Sequence, residues 1–199
     1  MIYLIRHGQT EYNLIRRYQG GLDSPLTALG RRQAQAIGLE LGRRLPAETP
    51  FAVSPLGRTR ATADLIREAG GFNGPVAVDD RLREITLGEW DGRTAVEIEA
   101  AWPGLRESGP RHEWLFRAPG GETFESITGR LGDWLREALE GPRPLIVVSH
   151  GVSGAVLRGL HARLPRAEMM SLDVPQDAVF VLGEAGVERI DIEGAAAGA

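Results

Sequence analysis

No cysteine occurs in the 199 residues, which excludes disulfides, thiolate metal sites and cysteine nucleophiles. No apolar run approaches the length of a membrane span, and the chain starts in a strand-like apolar segment without a basic leader. The expectations are no membrane partner and a cytoplasmic location. A basic excess is missing too: the formal net charge is -4 and the sequence pI about 5.6. Nucleic acid is therefore not an expected partner. Three chemical signatures are absent as well. These are the Gly-x-Ser-x-Gly elbow of serine hydrolases, the Gly-x-x-x-x-Gly-Lys phosphate loop, and any His-x-x-x-His or His-Glu-x-x-His helix suited to zinc. No metal and no other cofactor is expected. No linker or internal repeat divides the sequence, so residues 1–199 are read as a single domain.

What the chain does contain is concentrated at the ends of its apolar runs. Met1 to Ile5 reads as a buried strand and stops at Arg6-His7-Gly8. The carboxyl ends of strands are where open α/β sheets hold ligands. Gly8 allows a sharp turn, and Arg6 supplies a fork of donors for a phosphate or carboxylate. The continuous branched run Leu145 to Val148 repeats the arrangement, ending in Ser149-His150-Gly151 before a helix from about Val152 to Arg163. A third run, Phe51-Ala52-Val53, leads into Ser54-Pro55-Leu56-Gly57-Arg58 and a helix start, where an anion is favoured.

Between these runs the reading is of helices and loops. Ser24-Pro25-Leu26-Thr27 signals a helix start with Thr27 as N-cap. Ala34, Ile37, Leu41 and Leu45 form that helix's apolar stripe. A second amphipathic helix is expected over Thr94 to Trp102, with Val96, Ile98 and Trp102 as its apolar positions, and a third after Gly120-Gly121-Glu122-Thr123. Residues 104–121, carrying Arg106, Arg111 and His112, read as an irregular lid, with His112 an exposed loop histidine. Arg60 and Arg67 read as helix-surface charges, and Glu122 as a residue favouring a helix macrodipole. The loop Leu14 to Ser24 is divided evenly between ligand cover and solvated connector, its Arg16-Arg17 pair included. Ala178–Leu182 and Val187–Ile190 read as a closing hairpin, followed by a frayed tail from Gly194. Composition alone does not choose among Glu84, Glu89 and Asp91 as a functional carboxylate.

These segments together resemble the histidine phosphatase superfamily, the phosphoglycerate mutase-like enzymes. The opening motif Arg-His-Gly-x-Thr/Ser-x-x-Asn is present from Arg6 to Asn13. It is followed by Leu26-Thr-Ala-Leu-Gly30, by Ser54-x-x-x-Arg58-x-x-x-Thr62, by Leu82-x-Glu84-x-x-x-Gly88-x-Trp90-x-Gly92, and by Gly121-Glu122-Thr123. The resemblance implies a three-layer α/β/α sandwich with a mostly parallel central sheet. It selects Glu84 as the proton donor and places substrate contacts near Asn13, Gln19 and Gly20. With it, the catalytic set is His7, Glu84, Arg6, Arg58 and His150, helped by the backbone N–H groups of Gly151 and Val152.

The chemistry that fits is metal-independent phosphoryl transfer. A neutral imidazole is a competent nucleophile near pH 7, with the carbonyl after His7 as acceptor for its other ring nitrogen. The expected substrate is a small phosphorylated metabolite. Phosphoglycerate mutases have Glu-Arg-His-Tyr-Gly after the acid glutamate, whereas this chain has Glu84-Ile-Thr-Leu-Gly88. That departure and the short length favour a phosphatase over a mutase, and because all catalytic positions are intact a non-catalytic phospho-ligand-binding domain ranks last. A homodimer is the base-rate expectation.

Overall fold

The computed structural model describes residues 1–105, 110 and 112–193. The chain runs through β1 (Ile2–Arg6), α1 (Glu11–Leu14), α2 (Ala28–Gly42), β2 (Phe51–Val53), α3 (Gly57–Gly70) and β3 (Val76–Val78). It continues through α4 (Ala95–Ala101), α5 (Phe124–Glu140), β4 (Leu145–Ser149), α6 (Gly151–Ala162) and α7 (Arg166–Met169), and closes with the hairpin β5 (Ala178–Gly183) and β6 (Gly186–Asp191). The sheet order is β3-β2-β4-β1-β5-β6. β3, β2, β4 and β1 are parallel and the hairpin adds antiparallel to β1. This is the expected α/β architecture, a mostly parallel sheet between two helical layers.

The layering follows from the two-residue period of a strand. Ile2 and Leu4 of β1 join Val147 of β4 in one core, closed by Ile127, Leu131, Trp134 and Leu135 of α5 and by Val152 and Val156 of α6. Tyr3 and Ile5 join Ile146 and Val148 in the other, closed by Ala34, Ile37 and Leu41 of α2 and by Ala63 and Ile66 of α3. Each fully buried aliphatic side chain contributes about 1.5–3 kcal/mol relative to exposure. Thr27 caps α2 through the Gly30 N–H at 3.0 Å, and Thr123 caps α5.

Several expectations change on contact with the structure. Val96 is 78% exposed while Ile98 is fully buried, because residues two apart on a helix point to opposite sides of it. The strand β3 is exposed along its whole length, as an edge strand with one neighbour. Glu122 is no mere dipole partner. Its carboxylate takes Arg130 in a bidentate pair (2.7 Å to both Nε and Nη2), and the pair is nearly sealed from solvent. Arg67 reaches back to the Gly74 carbonyl instead of lying free on the surface. His112 is half-buried: its Nε2 lies 3.1 Å from the Leu172 carbonyl. The described part of the expected lid is anchored, with Trp114 and Leu115 of the turn Glu113–Arg117 buried in the core. Arg106 and Arg111 of that lid, and the tail from Gly194, lie outside the described residues. No helix among the described residues is long and apolar enough to cross a membrane.

Candidate active site

β2, β4 and β1 are parallel neighbours, so the residues just past their ends share one edge of the sheet. Arg6 pairs in register with Ser149, and the His7 N–H donates to the Ser149 carbonyl at 3.0 Å. The two histidines that follow are thereby brought face to edge, with ring centroids 5.3 Å apart and planes at 63°. Both are buried, His7 at 3% and His150 at 1% exposure.

His7 Nδ1 lies 2.8 Å from the Gly8 carbonyl. A carbonyl only accepts, so the ring proton sits on Nδ1 and Nε2 keeps its lone pair. Burial, then the charges of Arg58 and Arg6, hold the imidazole well below its ordinary pKa of 6.5. Gly8 has no substitute here. A Cβ on it would fall 2.3 Å from the Gly30 carbonyl oxygen, and one on Gly30 would fall 2.0 Å from the Gln9 carbonyl oxygen. The turn after β1 and the first coil of α2 thus meet backbone to backbone.

Two arginines flank the pair, and each divides its guanidinium between the fold and the site. Arg6 donates an Nη1 hydrogen bond to the Val174 carbonyl. Arg58 spends its Nη groups on the loop 20–23: the Leu22 carbonyl at 2.6 Å, the Gly20 carbonyl at 3.0 Å and Asp23 Oδ1 at 3.0 Å. Asp23 in turn accepts from the Gly57 and Arg58 N–H groups at the start of α3. In both arginines Nε is buried and has no partner, as is His150 Nδ1. Burial lowers the Arg6 guanidinium to about 10, against the raising effect of Glu84, so it stays cationic at neutral pH. All 23 basic residues of the chain are arginine, which keeps every such cation charged and forked.

Glu84 follows the turn Asp80–Leu82 and faces the start of α6. Its Oε1 accepts from the Ser153 N–H at 2.9 Å and the Ile85 N–H at 3.2 Å, and its Oε2 from the Val152 N–H at 3.0 Å. The Ser153 hydroxyl lies 2.9 Å from Oε1 and 2.7 Å from the Arg83 carbonyl. This revises one expectation: the Val152 N–H, assigned to a phosphate oxygen, holds the glutamate instead. The carbonyls around Glu84 are tied as firmly. Arg130 bonds those of Arg81 and Arg83, and the Glu122 N–H bonds that of Thr86 at 2.8 Å.

Arg6, His7, Asn13, Gln19, Gly20, Arg58, Glu84, Gly151 and Val152 all line one cavity of about 380 Å³, toward the small end for ligand pockets. His150 is not among the residues lining it; the ring packs edge-on against His7 and borders a small adjoining void together with Arg6 and Gly151, which line both. Asn13 Oδ1 is engaged by the Thr10 N–H and by Gln176 Nε2 at 3.0 Å. Gln19 Oε1 accepts from the Ser24 hydroxyl. Gly20 has φ +51°, and a Cβ there would collide with the Asp91 carboxylate. Both arginines of the evenly weighed pair line the cavity: Arg16 is exposed there, while Arg17 is tied to the Gly92 carbonyl and Glu97. Glu89 is exposed, and Asp91 accepts from the Leu87 N–H at 2.9 Å. Sequence reasoning passed over Ser54, Ser153, Gln176 and Arg130. Ser54 had a signal, since it is the first residue past its strand, as His7 and His150 are past theirs.

Residues 2–189 match the histidine phosphatase superfamily, branch 1. The chain belongs to that superfamily, and with its relatives it is a phosphatase- or mutase-type enzyme. It is 40% identical over 158 residues to the probable phosphoglycerate mutase GpmB of Salmonella paratyphi C, covering 76% of this chain and 70% of that protein. Among solved structures, a mycobacterial glucosyl-3-phosphoglycerate phosphatase in complex with VO3 is 32% identical, with a TM-score of 0.76 over 96% of both chains. Bacillus stearothermophilus YhfR is 30% identical, with a TM-score of 0.78 over 97% of this chain and 96% of its own.

Proposed function

We propose that the protein is a metal-independent phosphatase that hydrolyses small phosphomonoesters through a phosphohistidine on His7. The observation that carries this reading is the set of buried, partnerless nitrogens on the side chains that flank His7: Arg6 Nε, Arg58 Nε and His150 Nδ1. Buried polar groups are ordinarily satisfied. Donors left over beside a nucleophile define the place of an anion whose charge grows in the transition state.

In the first step His7 Nε2 attacks phosphorus and the P–O ester bond breaks. Glu84, protonated, gives its proton to the leaving oxygen. In the second step water attacks the phosphohistidine, its proton passes to the Glu84 carboxylate, and the P–N electron pair returns to Nε2. Oε2 is the working oxygen, since it accepts one backbone hydrogen bond where Oε1 accepts two. The site draws on residues from Arg6 to Gln176, which supports a single catalytic unit.

The name of the GpmB relative favours a second reading, phosphoryl return to substrate. Incubation with 3-phosphoglycerate and with an aryl phosphate separates the two. Release of inorganic phosphate from both supports the phosphatase; accumulation of 2-phosphoglycerate overturns it. Among the described residues no three His, Asp or Glu side chains gather as a metal ion would require, so a chelator should leave turnover intact. Loss of turnover that zinc restores would refute the metal-free step.

The pH profile supplies another check. Protonation removes the lone pair of His7, and its pKa is depressed by burial and by Arg58 and Arg6. Activity therefore persists as pH falls through the ordinary imidazole value of about 6.5. The acid limb of kcat/KM, corrected for the substrate phosphate's own ionisation near ~6, lies well below that value. A limb centred at 6.5 would show that the ring titrates as if exposed.

A further inference from the structure

The two imidazoles of the site face opposite demands. His7 has to present a lone pair, and His150 has to present a proton to an anion. The Gly8 carbonyl meets the first demand. The second falls on Ser54, whose Oγ lies 2.7 Å from His150 Nε2, with both side chains buried. A serine hydroxyl donates or accepts, so this distance alone leaves the tautomer open. The hydroxyl proton closes it. The other group in reach of Oγ, the Leu56 N–H at 3.5 Å, is itself a donor and occupies only one of the two lone pairs. Among the described residues the hydroxyl proton then has one acceptor in reach, His150 Nε2. The reverse arrangement, Nε2–H donating to Oγ, would strand a buried hydroxyl proton.

We propose that Ser54 is a positioning residue that holds His150 as the Nδ1–H tautomer, so that the imidazole meets the anion as a hydrogen-bond donor. Nδ1 is the ring nitrogen left buried without a partner, and its protonation state decides whether it attracts or repels an anionic oxygen. Charge offers no alternative route. Burial, then Arg58, His7, Arg6 and Arg130, keep the ring well below 6.5, so it is neutral in the resting protein. The two histidines thus carry their protons on the same atom for opposite purposes. One is turned to show its bare nitrogen and the other its protonated one. The backbone of Ser54 is held independently of its hydroxyl. Its N–H bonds the Val148 carbonyl at 3.1 Å, and its carbonyl accepts from the Thr59 hydroxyl at 2.9 Å.

The effect on rate rests on the phosphatase reading, but the tautomer is observable without turnover. Long-range proton–nitrogen correlation of the imidazoles in uniformly nitrogen-15-labelled protein, with His150→Gln for assignment, reads it directly. Both His7 and His150 should show protonated Nδ1 and bare Nε2. In Ser54→Ala the His150 pattern shifts to Nε2–H or to a mixture, while His7, held by Gly8, keeps its own. Ser54→Thr restores the first pattern. Turnover of an aryl phosphate falls roughly 10- to 100-fold in Ser54→Ala. That is less than the roughly 10²–10³ typical of deleting a donor outright, because the freed ring still samples Nδ1–H. Wild-type His150 protonated at Nε2 would overturn the proposal with no variant needed, as would an unchanged tautomer in folded Ser54→Ala. Wild-type protein with the expected tautomer and no phosphatase activity would sink the catalytic reading and leave Ser54's role standing.

Discussion

His7→Ala abolishes turnover, by roughly four orders of magnitude or more, and with it any acid-labile phosphate on the protein. The size of the effect follows from what else the cavity holds. Arg6, Arg58 and Glu84 line it, but the guanidinium groups are not nucleophiles, and both Glu84 oxygens are held to the backbone N–H groups at the start of α6. His150 cannot substitute, because its Nε2 is taken by Ser54 and, in the proposed tautomer, its Nδ1 carries the proton. The variant should still fold. The lost ring makes a single hydrogen bond, to Gly8, and deleting such a group costs about 1–3 kcal/mol. Circular dichroism therefore separates lost chemistry from lost structure. Appreciable turnover in folded His7→Ala would remove the nucleophile from the mechanism.

Glu84→Gln gives the second largest effect, and it should depend on the ester. A positioned general acid contributes about 10²–10⁴-fold. An alkyl phosphate, whose leaving alkoxide needs the proton, loses that much in kcat/KM. A nitrophenyl ester, whose leaving group departs unaided, loses far less. The comparison belongs on kcat/KM, which reports steps up to departure of the leaving group, because Glu84 also serves the later attack of water. With the activated ester the variant should release a burst of nitrophenol and retain phosphate on His7. Glutamine keeps the shape but turns an amide N–H₂ toward either the Val152 or the Ser153 N–H, so some local loosening accompanies the change. Equal losses on both esters, without a burst, would mean that Glu84 places the substrate and does not move protons.

Much of this site could be read from local patterns. The β1 and β4 runs are apolar and branched, each ends in a histidine followed by glycine, and a parallel sheet sets such ends side by side. Thr27 and Thr123 announced their helices through ordinary capping chemistry. The parts that escaped depend on partners distant in sequence. Val152 looked free to bind phosphate because nothing local shows that Glu84, 68 residues earlier, claims its N–H. Glu122 looked like a helix-start charge, since its pairing with Arg130 depends on how α5 meets the loop before it. Gln176 carries no motif at all. It matters because the segment before β5 passes close enough to hold the His7 carbonyl and Asn13 together. Arg58 was legible as a cation near the site, but not as the staple of the loop 20–23.

The bare contact between Gly8 and Gly30 has a dynamic consequence. With no side chain between them, nothing at that junction can absorb a small displacement by changing rotamer, so the nucleophile's turn moves only when the whole of α2 moves. Fluctuations able to misalign His7 are then slow and collective. A substitution that loosens the seat of α2 on the sheet should therefore loosen His7 as well, even from far outside the cavity.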